Sequence, residues 1–413
     1  IKKTMNKIIT IKNSIQKYSL LEMGFNNQDL KKGIDVLKTG FITMNKETEK
    51  FEKIFAQKLN VKYALMVNSG SSANLLAAFA ACNPLRENRF KRGDHALIPA
   101  LCWSTSLWPL VQSGLKPKFI DVDPKTLNLD ADYIISKITK KTKVIMLVNV
   151  LGISANNRKI VNYAKKKNII VIEDNCEALG AKYGEIFLGT FGDFGTFSFF
   201  YSHQITSGEG GMIVCKNKKD YEILLALRSH GWSRGKGVYE KNAKKYPNLD
   251  PRYIFINSGF NLRPTDIQAA IANNQFKRLK TFRQIRSTNK SKIINSLKKD
   301  KRWNNQFRFV EYSKKIKASY MVLPILIDRK FFYKKKKFIN FLEKKGLETR
   351  PIISGSFVNQ PSSKLYNLNP DNKKFRGAQE IQDLGFVIGL HTKTIKIPKV
   401  KFIVDLLFSI DTI

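Results

Sequence analysis

Between residues 63 and 214 short apolar runs alternate with stretches of helical periodicity, and that alternation restricts the fold more than any other feature of the chain. The runs fall at 64–67, 96–99, 117–121, 144–148, 169–172, 196–200 and 212–214. Runs of three to five buried residues, each followed by a helix-length segment, predict strands joined by helical crossovers. Such a pattern specifies an α/β fold: an open, mainly parallel seven-stranded sheet covered on both faces. Ligands in these sheets bind at the carboxyl ends of the strands, where the loops gather.

The flanking segments read differently. Residues 1–44 are polar and lysine-rich, with one helix predicted at 29–37 and ended by Gly40, and form an arm on the main body. A helix follows at 47–59, where Phe51, Ile54, Phe55 and Leu59 share a face. Residues 231–264, with Gly235, Gly237, Pro247 and Pro251, read as loop. One long helix is expected over 265–297. The tail then offers strands at 321–327 and 348–353 and helices at 331–345, 375–384 and 400–408, a small α+β lobe. The expected division is therefore an arm over 1–44, a large domain over 45–264, and a long helix with a small C-terminal domain over 265–413. The sequence begins on Ile1, so an initiator is expected to be missing, with Met5 another possible start.

The chain of 413 residues carries 73 Lys+Arg against 33 Asp+Glu, a net charge of +40. The basic residues are spread along the chain, as at Lys334–Lys337, so a solvated basic surface is expected rather than a nucleic-acid site. That surface would help steer an anionic substrate. Cys82, Cys102, Cys176 and Cys215 lie far apart with no metal-ligand spacing, so neither a disulfide framework nor a metal site is expected. A reducing cytoplasm suits them. The first twenty residues hold no uninterrupted apolar segment, and no run approaches a membrane span.

Four strand-end segments carry the chemistry. Asn68-Ser69-Gly70-Ser71-Ser72-Ala73-Asn74 lies between a strand and a helix, where backbone N–H groups and hydroxyls can close around a phosphate. An N-capped helix after a glycine turn would look the same. Glu173-Asp174-Asn175-Cys176-Glu177 places Asp174 at a strand's carboxyl end, either to pair with a protonated ring nitrogen or to cap a loop. Trp103, in Pro99-Ala100-Leu101-Cys102-Trp103-Ser104, is either a platform for a flat ring or a core residue. The fourth segment runs from Ser198 to Gly211: Ser198-Phe199, three residues, His203, then Glu209-Gly210-Gly211. Of the four histidines, His95, His203, His230 and His391, only His203 sits in such a Gly- and Ser-rich loop.

Taken in order and spacing, these segments resemble the DegT/StrS-type nucleotide-sugar aminotransferases, which are fold-type I pyridoxal-phosphate enzymes, over roughly residues 28–400. In that family the Ser-Phe…Glu-Gly-Gly frame carries a lysine that binds the cofactor as a Schiff base. Here His203 stands in its place, and no lysine lies between Lys182 and Lys216. Together with Arg228-Ser229-His230-Gly231-Trp232 and Thr349-Arg350-Pro351-Ile352, the His203 frame looks most like the branch that removes the C3 hydroxyl of GDP-4-keto-6-deoxymannose.

The resemblance implies pyridoxal or pyridoxamine phosphate held noncovalently, with Asp174 at the pyridine nitrogen and Trp103 stacked on the ring. Ser71, Ser72 and Ser198 would hold the phosphate, and Glu177 would lie near the ring hydroxyl. Asn261, in Gly259-Phe260-Asn261-Leu262-Arg263-Pro264, would reach the phosphate of a neighbouring subunit, which implies a homodimer with shared sites. His203 would be the acid and base, since histidine titrates near neutrality. The implied reaction is 3-dehydration of an NDP-4-keto-6-deoxyhexose in deoxysugar biosynthesis for surface polysaccharide, with glutamate restoring the amine. Iron–sulfur relatives that dehydrate CDP-hexoses carry clustered cysteines, which are missing here. Two positions depart from the branch: Gln204 replaces a second histidine, and Leu390-His391 alters a Gly-Asn-His ending; both are expected to tune the sugar site. The alternatives are an aminotransferase that works with histidine and a binding protein that kept the fold without activity.

Overall fold

The computed structural model describes residues 18–22, 24–234, 237–368 and 371–413. Residues 1–17 of the N-terminal arm, including Met5, and Gly235 therefore lie outside the described residues. The expected sheet is present, built from β1 (Tyr63–Val67), β2 (His95–Pro99), β3 (Lys116–Ile120), β4 (Thr142–Val148) and β5 (Ile170–Asp174). After a small hairpin, β6 (Lys182–Tyr183) and β7 (Ile186–Phe187), β8 (Phe194–Ser198) and β9 (Gly211–Cys215) complete it. The spatial order is β1-β9-β8-β5-β4-β2-β3. Neighbours from β8 through β3 are parallel, whereas β9 runs antiparallel to both β8 and β1. Every position of β5, β8 and β9 is buried, as a sheet covered on both faces requires.

The two covers are chemically distinct. On one face lies the helix Gly70–Ala81, whose small side chains let it pack closely against β8 and β9. On the other, Phe55 of the helix Lys46–Leu59 stacks on Phe276 at 5.1 Å and meets Phe197 edge-on at 5.2 Å. Along β8 and the residue after it, Phe197 and Phe199 point into this aromatic cluster. The alternation of side chains along a strand therefore turns Ser198 to the opposite face, against Gly70.

The C-terminal part forms a second, antiparallel sheet from β10 (Phe307–Phe309), β12 (Val322–Ile327), β13 (Thr349–Arg350) and β14 (Gly385–Gly389), in the order β10-β12-β14-β13. A further short strand, β11 (Ile316–Lys317), pairs with β6.

Three expectations change. The single helix over 265–297 is two helices, Asp266–Lys277 and Leu279–Lys299, broken at Arg278, whose N–H bonds the Gln275 carbonyl three residues back. The strand expected over 348–353 keeps only Thr349 and Arg350, because Pro351 has no N–H to donate and Ile353 turns to φ 50°. The loop-rich stretch 231–264 holds the helix Val238–Lys245.

Two buried aspartates fasten the N-terminal segments to the helix Asp266–Lys277. Asp29 accepts from Asn274 at 2.7 Å and Gln275 at 2.9 Å and pairs with Arg278. Asp266 receives the backbone N–H groups of Asn45, Glu47 and Thr48 and the Thr48 hydroxyl, so it caps the helix Lys46–Leu59 from another element. Asp266→Ala leaves those donors unpaired and should lower stability by about 2–4 kcal/mol, read in thermal or denaturant unfolding.

Candidate active site

The carboxyl ends of β1, β4, β5 and β8 surround a cleft of about 370 Å³, within the size range of small-molecule sites. At its floor is Asp174, the last residue of β5 and 4% exposed. A buried carboxylate needs donors, and Asp174 takes them from three elements. Asn74 and the Ser106 hydroxyl each donate to Oδ2 at 2.7 Å, and the Cys176 N–H donates to Oδ1 at 3.0 Å. Asn74 is itself fixed by the Thr196 hydroxyl of β8 at 2.6 Å.

Trp103 precedes the helix Ser104–Gln112 and lies at the cleft, 56% exposed. So exposed an indole is not a core residue, and its face is open to the cleft.

Ser69, Gly70 and Ser71 bring the N-terminus of the helix Gly70–Ala81 into the cleft beside Ser198. Its first N–H groups have no helical partner, and the helix dipole adds positive potential. The approach is tight: a Cβ on Gly70 would stand 2.5 Å from Ser198 Cβ and 2.7 Å from Cys176 Sγ. The Ser71 hydroxyl shares a 2.8 Å bond with Thr105. Ser72 does not line the cleft, because its hydroxyl donates to Asn68 at 2.6 Å within the turn.

Opposite lie Glu177 and His203. Glu177 accepts the Leu151 N–H at 3.0 Å. Burial pushes its carboxyl up to about 7, against the pull of that bond and with help from the Asp174 charge. His203 occupies the turn between β8 and β9, with Nδ1 buried and without a partner. Burial holds its imidazole down to about 4; the Ser198 backbone and Asp174 pull the other way, and Arg286 adds to the depression. Both groups are therefore held in their neutral forms near pH 6. Among the described residues no lysine lines the cleft.

The structure thus gathers Ser71, Trp103, Asp174, Glu177, Ser198 and His203 into one site. Asn261 lies outside it, exposed, accepting from Arg263 Nε at 2.9 Å. Asn74, Thr105 and Ser106 escape the sequence reading; the signal was a polar residue on the buried side of each helix that opens a strand-end loop. Gln204 and His391, expected to tune the sugar site, do not line this cleft. Gln204 donates to the backbone carbonyls of Glu177 and Ser319, and His391 stacks on Tyr18 at 4.3 Å with Nε2 2.8 Å from the Ser19 carbonyl.

The model of the DegT/DnrJ/EryC1/StrS aminotransferase family matches residues 25–401. The chain belongs to that family. A GDP-4-keto-6-deoxy-D-mannose 3-dehydratase of Escherichia coli O55:H7 is 34% identical over 91% of this chain and 95% of its own length. The structure of an E. coli GDP-4-keto-6-deoxy-D-mannose 3-dehydratase with bound hydrated PLP superposes with a TM-score of 0.85 at 30% identity, covering 95% of this chain and all of the other. A GDP-perosamine synthase of E. coli O157:H7 is 32% identical over 78% of this chain and 80% of its own length. The cleft of this family member fits a phosphorylated pyridine: a helix N-terminus with three serines for the anion, an exposed indole for the ring, and a buried carboxylate for a protonated ring nitrogen.

The two neutral groups titrate in opposite senses. Between pH 4.5 and about 7 native Glu177 keeps a proton that the unfolded chain releases, so it makes stability fall as pH rises. Between about 4 and 6.5 the unfolded chain takes up a proton that His203 refuses, so stability rises with pH. Glu177→Gln removes only the first effect. Its thermal midpoint relative to the native protein should therefore climb as the pH is raised from about 5 to about 7.

Proposed function

We propose that this chain is a pyridoxal/pyridoxamine-phosphate-dependent 3-dehydratase of an NDP-4-keto-6-deoxyhexose, with GDP-4-keto-6-deoxymannose as first choice, in deoxysugar biosynthesis for surface polysaccharide. The observation that carries it is the cleft lining: the turn between β8 and β9 presents His203, and among the described residues no lysine amine faces the cleft. Similarity to named 3-dehydratases over nine-tenths of the chain supports the same reaction.

The bound cofactor supplies an amine that condenses with the sugar's 4-keto group and a ring that accepts electron density as the C3–O bond breaks. Asp174 would keep the ring nitrogen protonated, because its carboxylate is fixed by three donors and among the described residues it has no ion pair. Trp103 orients the ring, and Ser71, Ser198 and the helix N-terminus bind the phosphate. Glu177, holding a proton near neutrality, hydrogen-bonds on the ring hydroxyl side. His203 enters neutral, the form that can take up a proton, and then delivers it to the sugar O3 as that oxygen leaves. Without a lysine in the cleft, no side chain competes with the cofactor amine for the sugar.

Glutamate as amino donor, a homodimer in which Asn261 reaches the partner's phosphate site, and a cytoplasmic setting belong to the same proposal. The exposure of Asn261 away from its own cleft supports the second, and the four cysteines without disulfides support the third. No described helix is long and apolar enough to cross a membrane. We further propose the division into an arm over 1–44, a large domain over 45–264 and a small domain with its lead-in helix over 265–413, supported by the two separate sheets.

Incubation of the protein with pyridoxal phosphate, glutamate and GDP-4-keto-6-deoxymannose should give a 3-deoxy-4-keto sugar and free ammonia, followed by mass spectrometry and an ammonia assay. His203→Ala should slow it by roughly 10²–10⁴-fold. An amino sugar formed without release of ammonia would make the chain an aminotransferase instead, since glutamate is converted to 2-oxoglutarate in either reaction. Borohydride treatment of the cofactor-loaded protein, then denaturation, should leave no cofactor attached to the chain.

A further inference from the structure

Behind the His203 turn lies a buried cation that the chemistry above does not use. Arg286, on the helix Leu279–Lys299, is 7% exposed, and burial lowers its guanidinium to about 10. Buried arginines are ordinarily paired with carboxylates. Among the described residues this one has no ion pair, and Glu22, the acid that bears on it electrostatically, is spent on Thr392 and Lys393. Its donors go to main-chain carbonyls instead. Nη1 reaches Gln204 O at 3.0 Å, Nη2 reaches His203 O at 3.4 Å, and Nε reaches Leu390 O at 3.0 Å. One turn later, Asn289 on the same helix donates to the carbonyls of His391 and Lys393 and accepts the Ile395 N–H.

We infer that Arg286 is a positioning residue for His203. Its planar fork ties the carbonyls of the His203–Gln204 turn to the end of β14, so the imidazole is held at a fixed place relative to the small domain. A guanidinium suits this task because its donors diverge in one plane and serve three acceptors at once; an ammonium on a lysine stem is a point donor. The cost of burying an unpaired cation is met by three carbonyl dipoles, which would otherwise be left without a donor in a dry turn. The second histidine of related dehydratases is not needed to hold this turn here, since Gln204 ties its other side to the backbone of Glu177 and Ser319. The charged groups around the imidazole are Asp174, Glu177 and Glu209 along the cleft and Arg286 with Glu22 behind the turn.

The inference concerns how His203 is held and rests on the dehydratase reading only for its kinetic consequence. Two variants, Arg286→Met and Arg286→Lys, test it in the full chain. The first readout is the rate of His203 labelling by diethyl pyrocarbonate against pH, followed by peptide mass spectrometry, which needs no turnover. Only neutral imidazole reacts, and removing the nearby cation favours the imidazolium, so the labelling midpoint of Arg286→Met should move to higher pH, while Arg286→Lys should stay near the native midpoint. The second readout is the dehydration itself, where both variants should lose about tenfold or more in kcat with KM for the sugar nucleotide changed less than about threefold. A native midpoint in folded Arg286→Met overturns the inference, as does native kcat in folded Arg286→Lys. If Arg286→Met does not fold, the lysine variant carries the test alone. Absence of dehydration by the native protein would sink the dehydratase reading while leaving the labelling readout intact.

Discussion

A carboxylate at the bottom of a cleft fixes where everything else must be. Asp174 is buried at the end of β5, and its charge is tolerable only with donors in place. Those donors come from the helix Gly70–Ala81, the helix Ser104–Gln112 and the chain just beyond β5 itself. Each of the two helices follows a different strand of the parallel sheet, so the crossovers must return their N-terminal turns to the same end. Ser71 and Trp103, which line the cleft, are carried on those same turns. Orientation of the carboxylate and assembly of the cleft are thus one structural event, and Thr196 of β8 extends it by holding Asn74.

The exchange of lysine for histidine acts within that frame. A lysine in the β8–β9 turn would bring a long cation with a primary amine; His203 brings a short, flat group that burial keeps neutral. Glu177, its carboxyl pushed up to about 7 by burial, is likewise held neutral near pH 6. Asp174 therefore stands as the main fixed anion of the cleft floor, which favours a cationic ring nitrogen over any competing cation of the chain. A neutral base beside a neutral acid can pass protons without first separating charge in a low-dielectric site.

Six of the seven main strands are legible in the sequence as fully or largely buried runs bracketed by helical periodicity, whereas the edge strand β3 buries only Ile120 and is legible from its place between helical segments. Their ends shift by a residue or two, as at β5, where the strand continues through Glu173 and Asp174 because both carboxylates find donors. The second sheet is legible only in part. β14 escapes because its five residues, Gly385–Gly389, carry glycine at both ends and look like loop, although every position is buried. The break at Arg278 escapes because the partner of its side chain is distant: it pairs with Asp29, 249 residues away. Spatial neighbours mislead in the same way. Gln204 follows His203 directly yet faces the backbone behind the cleft, whereas Asn74 and Ser106, far away in sequence, touch Asp174.

Backbone strain is present at the cleft itself. Leu151 and Ile353 both sit in the left-handed region, at φ 51° and 50°, where residues with side chains pay roughly 1–3 kcal/mol. Neither is a loose surface turn. The N–H of Leu151 is aimed at Glu177, and Ile353, from the C-terminal part of the chain, lines the cleft together with Met321. Relaxing Leu151 would withdraw the one hydrogen bond that opposes protonation of Glu177. Relaxing Ile353 would carry its apolar side chain off the cleft wall and admit water beside His203. Two of the strained positions in the chain are thus tied to the cleft, one through the charge of Glu177 and one through its apolar wall.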